Sequence, residues 1–346
     1  MRLEVGMNMM KIIAVRNAKK AFPTGDPKFA VMQAFPGEFS TQETDPFLMC
    51  DFFGPSVSKG LAKNEDDFEI GWHPHRGMDI CTYLKEGVGR HGDSLGNRET
   101  YATPVSAVYV YNTVSSLYFT SAHLYRLFYQ GMQWVSVGSG IEHAEGGGTP
   151  AGENTTGFQL WINVPSAHKM DDPAYGTVPS EQLPCFNVND GVKATLLAGK
   201  LANHEGPFIT KQPLEMIDFT LQPNSTLSHS VPVHLNNCLL FVYDGSGSVG
   251  DRRVSQHNVV HLDASLEAVR SIHLSTESAS MGVMLFAGTR LNEPVAWRGP
   301  FVMNTEAEIQ RTLAEYRSGH FPPKRVSWDY KTLASFPADH PARSEL

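Results

Sequence analysis

GWHPHRGMDICTYL, residues 71–84, is the stretch of sequence that decides the fold. His73 and His75 are two positions apart in a segment that the sequence predicts to be a β-strand, in which residues i and i+2 project from one face. The Cα atoms of such a pair lie roughly 6–7 Å apart. Both imidazoles therefore project the same way and form half of a metal site.

A second stretch, VGSGIEHAEGGG at residues 137–148, repeats this spacing with His143 and Glu145. Two such strands side by side in a barrel would bring three imidazole nitrogens and one carboxylate to a single point. His73, His75, His143 and Glu145 are therefore the candidate metal ligands. Glu142 alternates to the opposite face and is not expected to bind the metal.

Five blocks of this sequence, in the same order, resemble the pirin family. The blocks are HPHRG at 73–77, HGDSLGNR at 91–98, GIEHAE at 140–145, QLWINVP at 159–165 and GPFVMNT at 299–305. The resemblance runs from about Val15 to about Phe321. It implies two cupin barrels, a single iron in the N-terminal barrel, and roles as a flavonol (quercetin) 2,3-dioxygenase and as an iron-dependent nuclear co-regulator. By analogy with cupin flavonol dioxygenases, we expect Glu145 to be the catalytic base that takes the proton of the substrate hydroxyl while it also binds the metal.

His91 is the rival ligand, because HGDS at residues 91–94 would supply a further imidazole. The alternative is that His91, Asp93, Ser94 and Asn97 satisfy a tight turn through hydrogen bonds from side chain to backbone. The resemblance assigns metal binding to His143 and Glu145 instead. We favour the turn. Gln159, in the strand at 158–164, is either a polar neighbour of the metal or an ordinary buried amide of a core strand, and both interpretations stay open.

Composition predicts an all-β chain of two domains. The 346 residues include 30 glycines and 22 prolines spread between short apolar runs, which favours many strands and turns over long helices. We expect a metal-binding cupin barrel (double-stranded β-helix, or jelly roll) at residues 1–175. A second cupin-like barrel without metal is expected at 176–346, because its histidines form no comparable pairs. It ends in a helix at about 305–318, where Thr305 and Glu308 have the spacing of a capping box.

The net charge of −8 argues against direct nucleic-acid binding, which depends on lysine and arginine. Four widely spaced cysteines predict a reducing compartment and buried thiols. No segment predicts a membrane span, and we expect a monomer in the cytoplasm, the nucleus or both. Basic residues near the N-terminus do not exclude a transit peptide. Met7, Met9 and Met10 leave it undecided which methionine starts the protein.

Residues 100–130 depart from the pirin pattern, which has only a short turn here. The interval contains a single charged residue after Thr100, Arg126, and many tyrosines, valines, serines and threonines. It is either a true insertion or a translated intron. Both interpretations stay open at this point.

The candidate ligands do not by themselves identify the metal. Imidazoles and a carboxylate without a thiolate suit Fe(II), which the resemblance favours, and also Mn, Ni, Co or Zn. Four protein ligands leave two positions open at an octahedral ion, enough for O2 and a small aromatic substrate. The alternative is a redox-sensing, non-enzymatic module that binds a transcription-factor partner.

Overall fold

The computed structural model describes residues 8–23, 30–60, 68–101, 131–264 and 270–331. The predicted all-β architecture is confirmed, because most of the described chain is in strands. Apart from Thr100 and Tyr101, the atypical interval at 100–130 lies outside the described residues. Within them, no helix is both long and apolar enough to span a membrane.

The first barrel is built from two sheets. One has the strand order β13-β10-β7-β12-β5-β4-β3, and the other has the order β6-β11-β8-β9. Every pairing in both sheets is antiparallel. The strands are β3 (Lys19–Ala21), β4 (Val31–Phe35), β5 (Phe47–Val57), β6 (Ile70–His75), β7 (Met78–Glu86), β8 (Gly89–Asp93), β9 (Arg98–Tyr101), β10 (Gly131–Ser136), β11 (Ile141–Gly147), β12 (Asn154–Asn163) and β13 (Ala174–Val178).

The second barrel is a single branched sheet, and it also takes in the first two strands of the chain. These strands, β1 (Asn8–Met9) and β2 (Ile12–Asn17), pair with β23 and β22. The others are β14 (Cys185–Asn189), β15 (Val192–Ala198), β18 (Leu214–Leu221), β19 (Thr226–Val231), β20 (Asn237–Val249), β21 (Arg252–Ser255), β22 (Asn258–Leu262), β23 (Arg270–Ser275) and β24 (Met281–Gly288).

Short elements complete the described chain. Two small hairpins pair β16 with β17 and β25 with β26. These elements are β16 (Lys200–Leu201), β17 (His204–Glu205), β25 (Ala296–Arg298), β26 (Phe301–Met303), α1 (Thr41–Thr44), α2 (Glu306–Arg317) and 3-10 turns at Ser166–His168 and Ser180–Gln182. The division at 175/176 stays a prediction, and β13 spans it.

The two barrels pack face to face through a core of aromatic side chains. Phe35 contacts Phe286 with ring centroids 5.1 Å apart, and Phe52 contacts Phe241 at 6.1 Å. Such tilted and edge-on pairs add to the free energy of apolar burial. At the margin of this core, Asp218 of the second barrel accepts hydrogen bonds from two side chains of the first barrel, Tyr83 (2.9 Å) and Lys85. It also accepts one from Tyr243 (2.6 Å) of its own barrel.

The predicted C-terminal helix is confirmed as α2. Thr305 is its N-cap, and Thr305 and Glu308 form the expected capping box, which satisfies two backbone N–H groups at the start of the helix. Gly319 follows the helix with a φ of 75°, a left-handed conformation that glycine adopts without strain. The prediction that all cysteines are buried is wrong for Cys185, which is exposed on the short strand β14.

Candidate metal centre

Strand β11 carries the candidate site, because it lies between the two other strands that bear its histidines. It pairs with β6, where His143 is opposite His73, and with β8, where Glu145 is opposite His91. The pairing with β6 is irregular between His143 and Glu145. Cross-strand neighbours in an antiparallel pair lie about 4.5–5.5 Å apart, so this register brings side chains distant in the sequence together.

Three imidazoles converge as the spacing predicts. The ring centroids of His73, His75 and His143 lie 4.4–4.8 Å from one another. Nε2 of His73 is 2.9 Å from Nε2 of His143. Two neighbouring nitrogen ligands that each lie about 2.1 Å from one octahedral ion are about 3 Å apart. The donor set therefore fits a shared metal ion.

Backbone carbonyls orient two of these rings. Nδ1 of His73 lies 2.7 Å from the carbonyl oxygen of Gly71, and Nδ1 of His75 lies 3.3 Å from that of Pro300. A carbonyl only accepts, so each Nδ1 carries the proton and each Nε2 keeps its lone pair. This is how histidine ligands are generally oriented for metal binding.

Burial keeps the rings neutral. His75 and His143 are 3% and 0% exposed. Desolvation lowers the pKa of both imidazoles well below the usual value, and the neighbouring His73 lowers it further. Neutral imidazole is the form that binds metals, so these two residues need not lose a proton before they bind a metal ion.

The carboxylate of Glu145 is held by two glutamine amides. Gln133 Nε2 donates to its Oε1 at 2.5 Å, and Gln159 Nε2 donates to its Oε2 at 3.2 Å. Thr82 links the amides, because it accepts from Gln133 Nε2 at 2.9 Å and donates to Gln159 Oε1 at 2.6 Å. Gln159 was expected here from the sequence, whereas Gln133 and Thr82 were missed.

The four predicted ligands, together with His91, fall into two overlapping groups. His73, His75 and His143 form one, and Glu145, His143 and His91 form the other, with the ligand atoms of each group within 4.8 Å of one another. His91 is thus closer to the centre than the turn interpretation implies. The ligand set of three histidines and Glu145 stays a prediction.

The turn expected after β8 is present. Asp93 Oδ1 accepts from the backbone N–H groups of Leu95 and Asn97 at 2.9 and 3.0 Å. His91 is tied to the same turn, because its Nε2 lies 3.1 Å from Asp93 Oδ2 and its ring stacks on Tyr175 at 4.1 Å. One ring nitrogen of His91 is therefore already engaged.

Glu142 faces away from the centre, as its position on β11 predicts. Its carboxylate accepts hydrogen bonds from the Tyr330 hydroxyl and, at 3.0 Å, from Lys331 Nζ. These partners belong to the segment after α2, which crosses the outer face of β11. Glu142 fixes this segment and takes no part in the donor set.

Arg76, the residue after His75, anchors the metal strand. Its guanidinium is 2% exposed and donates to Ser139 O at 2.7 Å, Thr312 Oγ1 at 2.9 Å and Glu315 Oε2 at 2.6 Å. These contacts join the end of β6 to the turn before β11 and to α2. The positions of His75 and His143 therefore depend partly on a helix that lies more than 150 residues away from both in the sequence.

Comparison with known proteins places these features in a family. The Pirin family model matches residues 28–106, and the model of the pirin C-terminal cupin domain matches residues 216–322. Pirin-like protein 2 of Arabidopsis thaliana is 32% identical over 281 residues, which are 80% of this chain and 75% of that protein.

Two further relatives carry the name of an activity. A Pseudomonas aeruginosa protein, provisionally named a quercetin 2,3-dioxygenase, is 31% identical over 287 residues, which are 81% of this chain and 88% of that protein. The crystal structure of quercetin 2,3-dioxygenase from Acinetobacter baumannii superimposes with a TM-score of 0.75 at 26% identity and covers 91% of this chain and 99% of that one.

Proposed function

The chain belongs to the pirin family, and on that premise we propose that it is a metal-dependent dioxygenase acting on quercetin or related flavonol-like aromatics. The observation that carries the proposal is the convergence of His73, His75 and His143 beside the amide-held carboxylate of Glu145. The relatives named as quercetin 2,3-dioxygenases support the substrate class and the reaction.

The proposed ligands are the three histidines and Glu145, and the proposed metal is Fe(II). Nitrogen and oxygen donors without a thiolate also accommodate Mn, Ni, Co and Zn. When bound, a divalent ion would supply Lewis-acid and redox chemistry at the centre. Iron is proposed because the resemblance to pirins implies a single iron in the N-terminal barrel.

Glu145 is proposed as the base that accepts the proton of the substrate hydroxyl. A base must reach its proton within hydrogen-bond distance, and Gln133 and Gln159 fix the carboxylate in one orientation on the inner face of the barrel. Each carboxylate oxygen has a second lone pair, so the amide contacts leave room for the substrate proton.

Two half-buried tryptophans beside the histidines support an aromatic substrate. The Trp161 ring lies 5.0 Å from that of His75, and Trp297 lies 5.9 Å from Trp161. Indole faces give a flat ligand large contact area at low entropic cost. Trp161 and Gln159 share one face of β12, so the same strand supplies an aromatic wall and a hydrogen bond to Glu145.

The test is oxygen consumption by the iron-loaded protein with quercetin. We expect uptake that coincides with loss of the flavonol absorbance and that stops when the metal is chelated. The Glu145→Gln variant should lose at least about 100-fold in kcat, since general base catalysis contributes about 10²–10⁴. Glu142→Gln is the matched control, because this glutamate lies on the outer face, and it should keep the wild-type rate.

Absence of uptake in a sample with one iron per chain would contradict the enzymatic proposal. The protein would then be better described as a module that binds a transcription factor according to the redox state of the iron. Co-purification of a partner with only one redox state would support that alternative.

A further inference from the structure

The second barrel contains a cavity of about 320 Å3 between β18 and β19, beside the short strand β16. Small-molecule pockets in proteins span about 300–1,000 Å3. The walls are mainly apolar, with Val188, Leu201, Phe219, Leu227 and Pro232 among the lining residues. The cavity is therefore large enough for a one-ring aromatic molecule.

A buried acid–base pair lines this cavity. Glu215 and His229 are 2% and 7% exposed, and His229 Nε2 lies 2.6 Å from Glu215 Oε1. Both are at inward positions of their strands, where the neighbours Phe219 and Leu227 belong to the apolar core. Burial of a carboxylate and an imidazole in such a core costs free energy unless their hydrogen bonds are satisfied.

The pair leaves two polar atoms without a partner. Among the described residues, Glu215 Oε2 and His229 Nδ1 have no hydrogen bond, and neither atom is sealed off from solvent. His229 and Glu215 share one proton between Nε2 and Oε1, so the other carboxylate oxygen, Glu215 Oε2, is left as a hydrogen-bond acceptor. A ligand in the cavity therefore meets a carboxylate oxygen that can accept a hydrogen bond from it.

We propose that this cavity is a second small-molecule site, separate from the metal centre, and that it binds an aromatic alcohol. A phenol fits because its ring would contact the apolar walls and the Phe219 ring, which lies 5.5 Å from that of His229. Its hydroxyl would donate to the pair. An ammonium group is disfavoured, because its desolvation costs more free energy than that of a hydroxyl group.

The proposal is tested by 19F NMR titration with 4-fluorophenol. The probe is added to the wild-type protein and to the His75→Ala variant, in which the metal centre is disrupted. We expect saturable binding in both. Fluorobenzene lacks the hydroxyl and should bind at least about tenfold more weakly, the loss that one hydrogen bond to a charged group implies.

Two variants and one control locate the site. Val188 is 39% exposed and lines the cavity, so Val188→Trp should obstruct it and abolish binding without unfolding the protein, whereas Val57→Trp, at a 67% exposed valine of the first barrel, should bind normally. Glu215→Gln should bind about tenfold more weakly. Because that variant changes a buried pair and is liable to misfold, the Val188 comparison decides the question.

Three results would overturn the proposal. Undiminished binding to Val188→Trp would place the probe elsewhere. Loss of binding in a folded His75→Ala variant would assign the phenol to the metal centre. Tighter binding of 4-fluorobenzylamine than of 4-fluorophenol would exclude an alcohol as the ligand class.

Discussion

The two barrels differ mainly in a few inward positions of their inner strands. In the first barrel, β6, β8 and β11 place four imidazoles and one carboxylate close together. In the second, β18 and β19 place one carboxylate beside one imidazole among apolar side chains. The comparison teaches that two barrels of similar architecture differ in their inward residues, and these residues are the basis for the metal ion proposed in the first barrel and the uncharged ligand proposed in the second.

The largest expected effect is on stability, and it comes from a substitution at the junction between the two barrels. Asp218 is 2% exposed and accepts from Lys85, Tyr83 and Tyr243, so Asp218→Leu leaves an ammonium and two hydroxyls without their acceptor. We expect the free energy of unfolding, measured by denaturant titration, to fall by about 3–5 kcal/mol. The double variant Lys85→Met/Asp218→Leu should recover part of this loss. A loss below about 1 kcal/mol for Asp218→Leu would show that this contact does not hold the barrels together.

Buried ionisable groups in the first barrel should make stability depend on pH. Burial raises the pKa of Asp51 from 3.8 to about 6, although its hydrogen bond from Gln33 acts in the opposite direction. The folded state therefore favours the protonated form. This contribution to stability is complete below about pH 4 and is lost as the pH rises through about 6, up to about 3 kcal/mol for a shift of about 2 pKa units.

The Asp51→Asn variant removes this ionisation but keeps the oxygen that accepts from Gln33. Its unfolding free energy, measured from pH 3.5 to 7.5, should vary less than that of the wild type and should be higher at pH 7. The exposed Asp190→Asn is the control and should follow the wild-type curve. A parallel curve for Asp51→Asn would show that Asp51 does not cause the dependence.

Hydrogen bonds behind Glu145 should affect metal affinity more modestly. Gln133→Leu removes the amide that donates to Glu145 Oε1, and loss of such an outer partner typically weakens metal binding about 10- to 100-fold. Competition with a chelating dye measures the change. The exposed Gln182→Leu should leave the affinity unchanged. Equal affinities for Gln133→Leu and the wild type would mean that Glu145 is not a ligand.

The smallest expected effect concerns His91. One of its ring nitrogens is engaged by Asp93, so His91→Asn should keep metal affinity within about threefold in the same assay. This variant tests which inward residues of the first barrel bind the metal, because His91 lies near both His143 and Glu145. Complete loss of metal would make His91 a ligand and would require a different donor set.

Much of the fold and part of the site could be predicted from local patterns. Strand alternation places His73 with His75 and His143 with Glu145, and the capping box marks the start of α2. The resemblance identifies the two barrels. These features depend on residues close together in the sequence, where periodicity is a direct signal.

The remaining features depend on long-range strand pairing. Gln133 on β10 and Glu145 on β11 belong to different sheets, so their contact depends on how the two sheets of the barrel face each other, and no local pattern distinguishes Gln133 from other inward amides. Arg76 contacts Thr312 and Glu315 across more than 200 residues. Glu215 and His229 are inward residues of two different strands, so their contact follows from the three-dimensional arrangement and could not be inferred from spacing.

Metal content per chain, measured by inductively coupled plasma mass spectrometry on the wild type and the His75→Ala variant, tests the central claim most directly. The first barrel is predicted to hold one metal ion through His73, His75, His143 and Glu145. The wild type should therefore contain about one equivalent, and a folded His75→Ala protein should contain almost none. Full metal content in His75→Ala would contradict the proposed centre and the difference between the two barrels that depends on it.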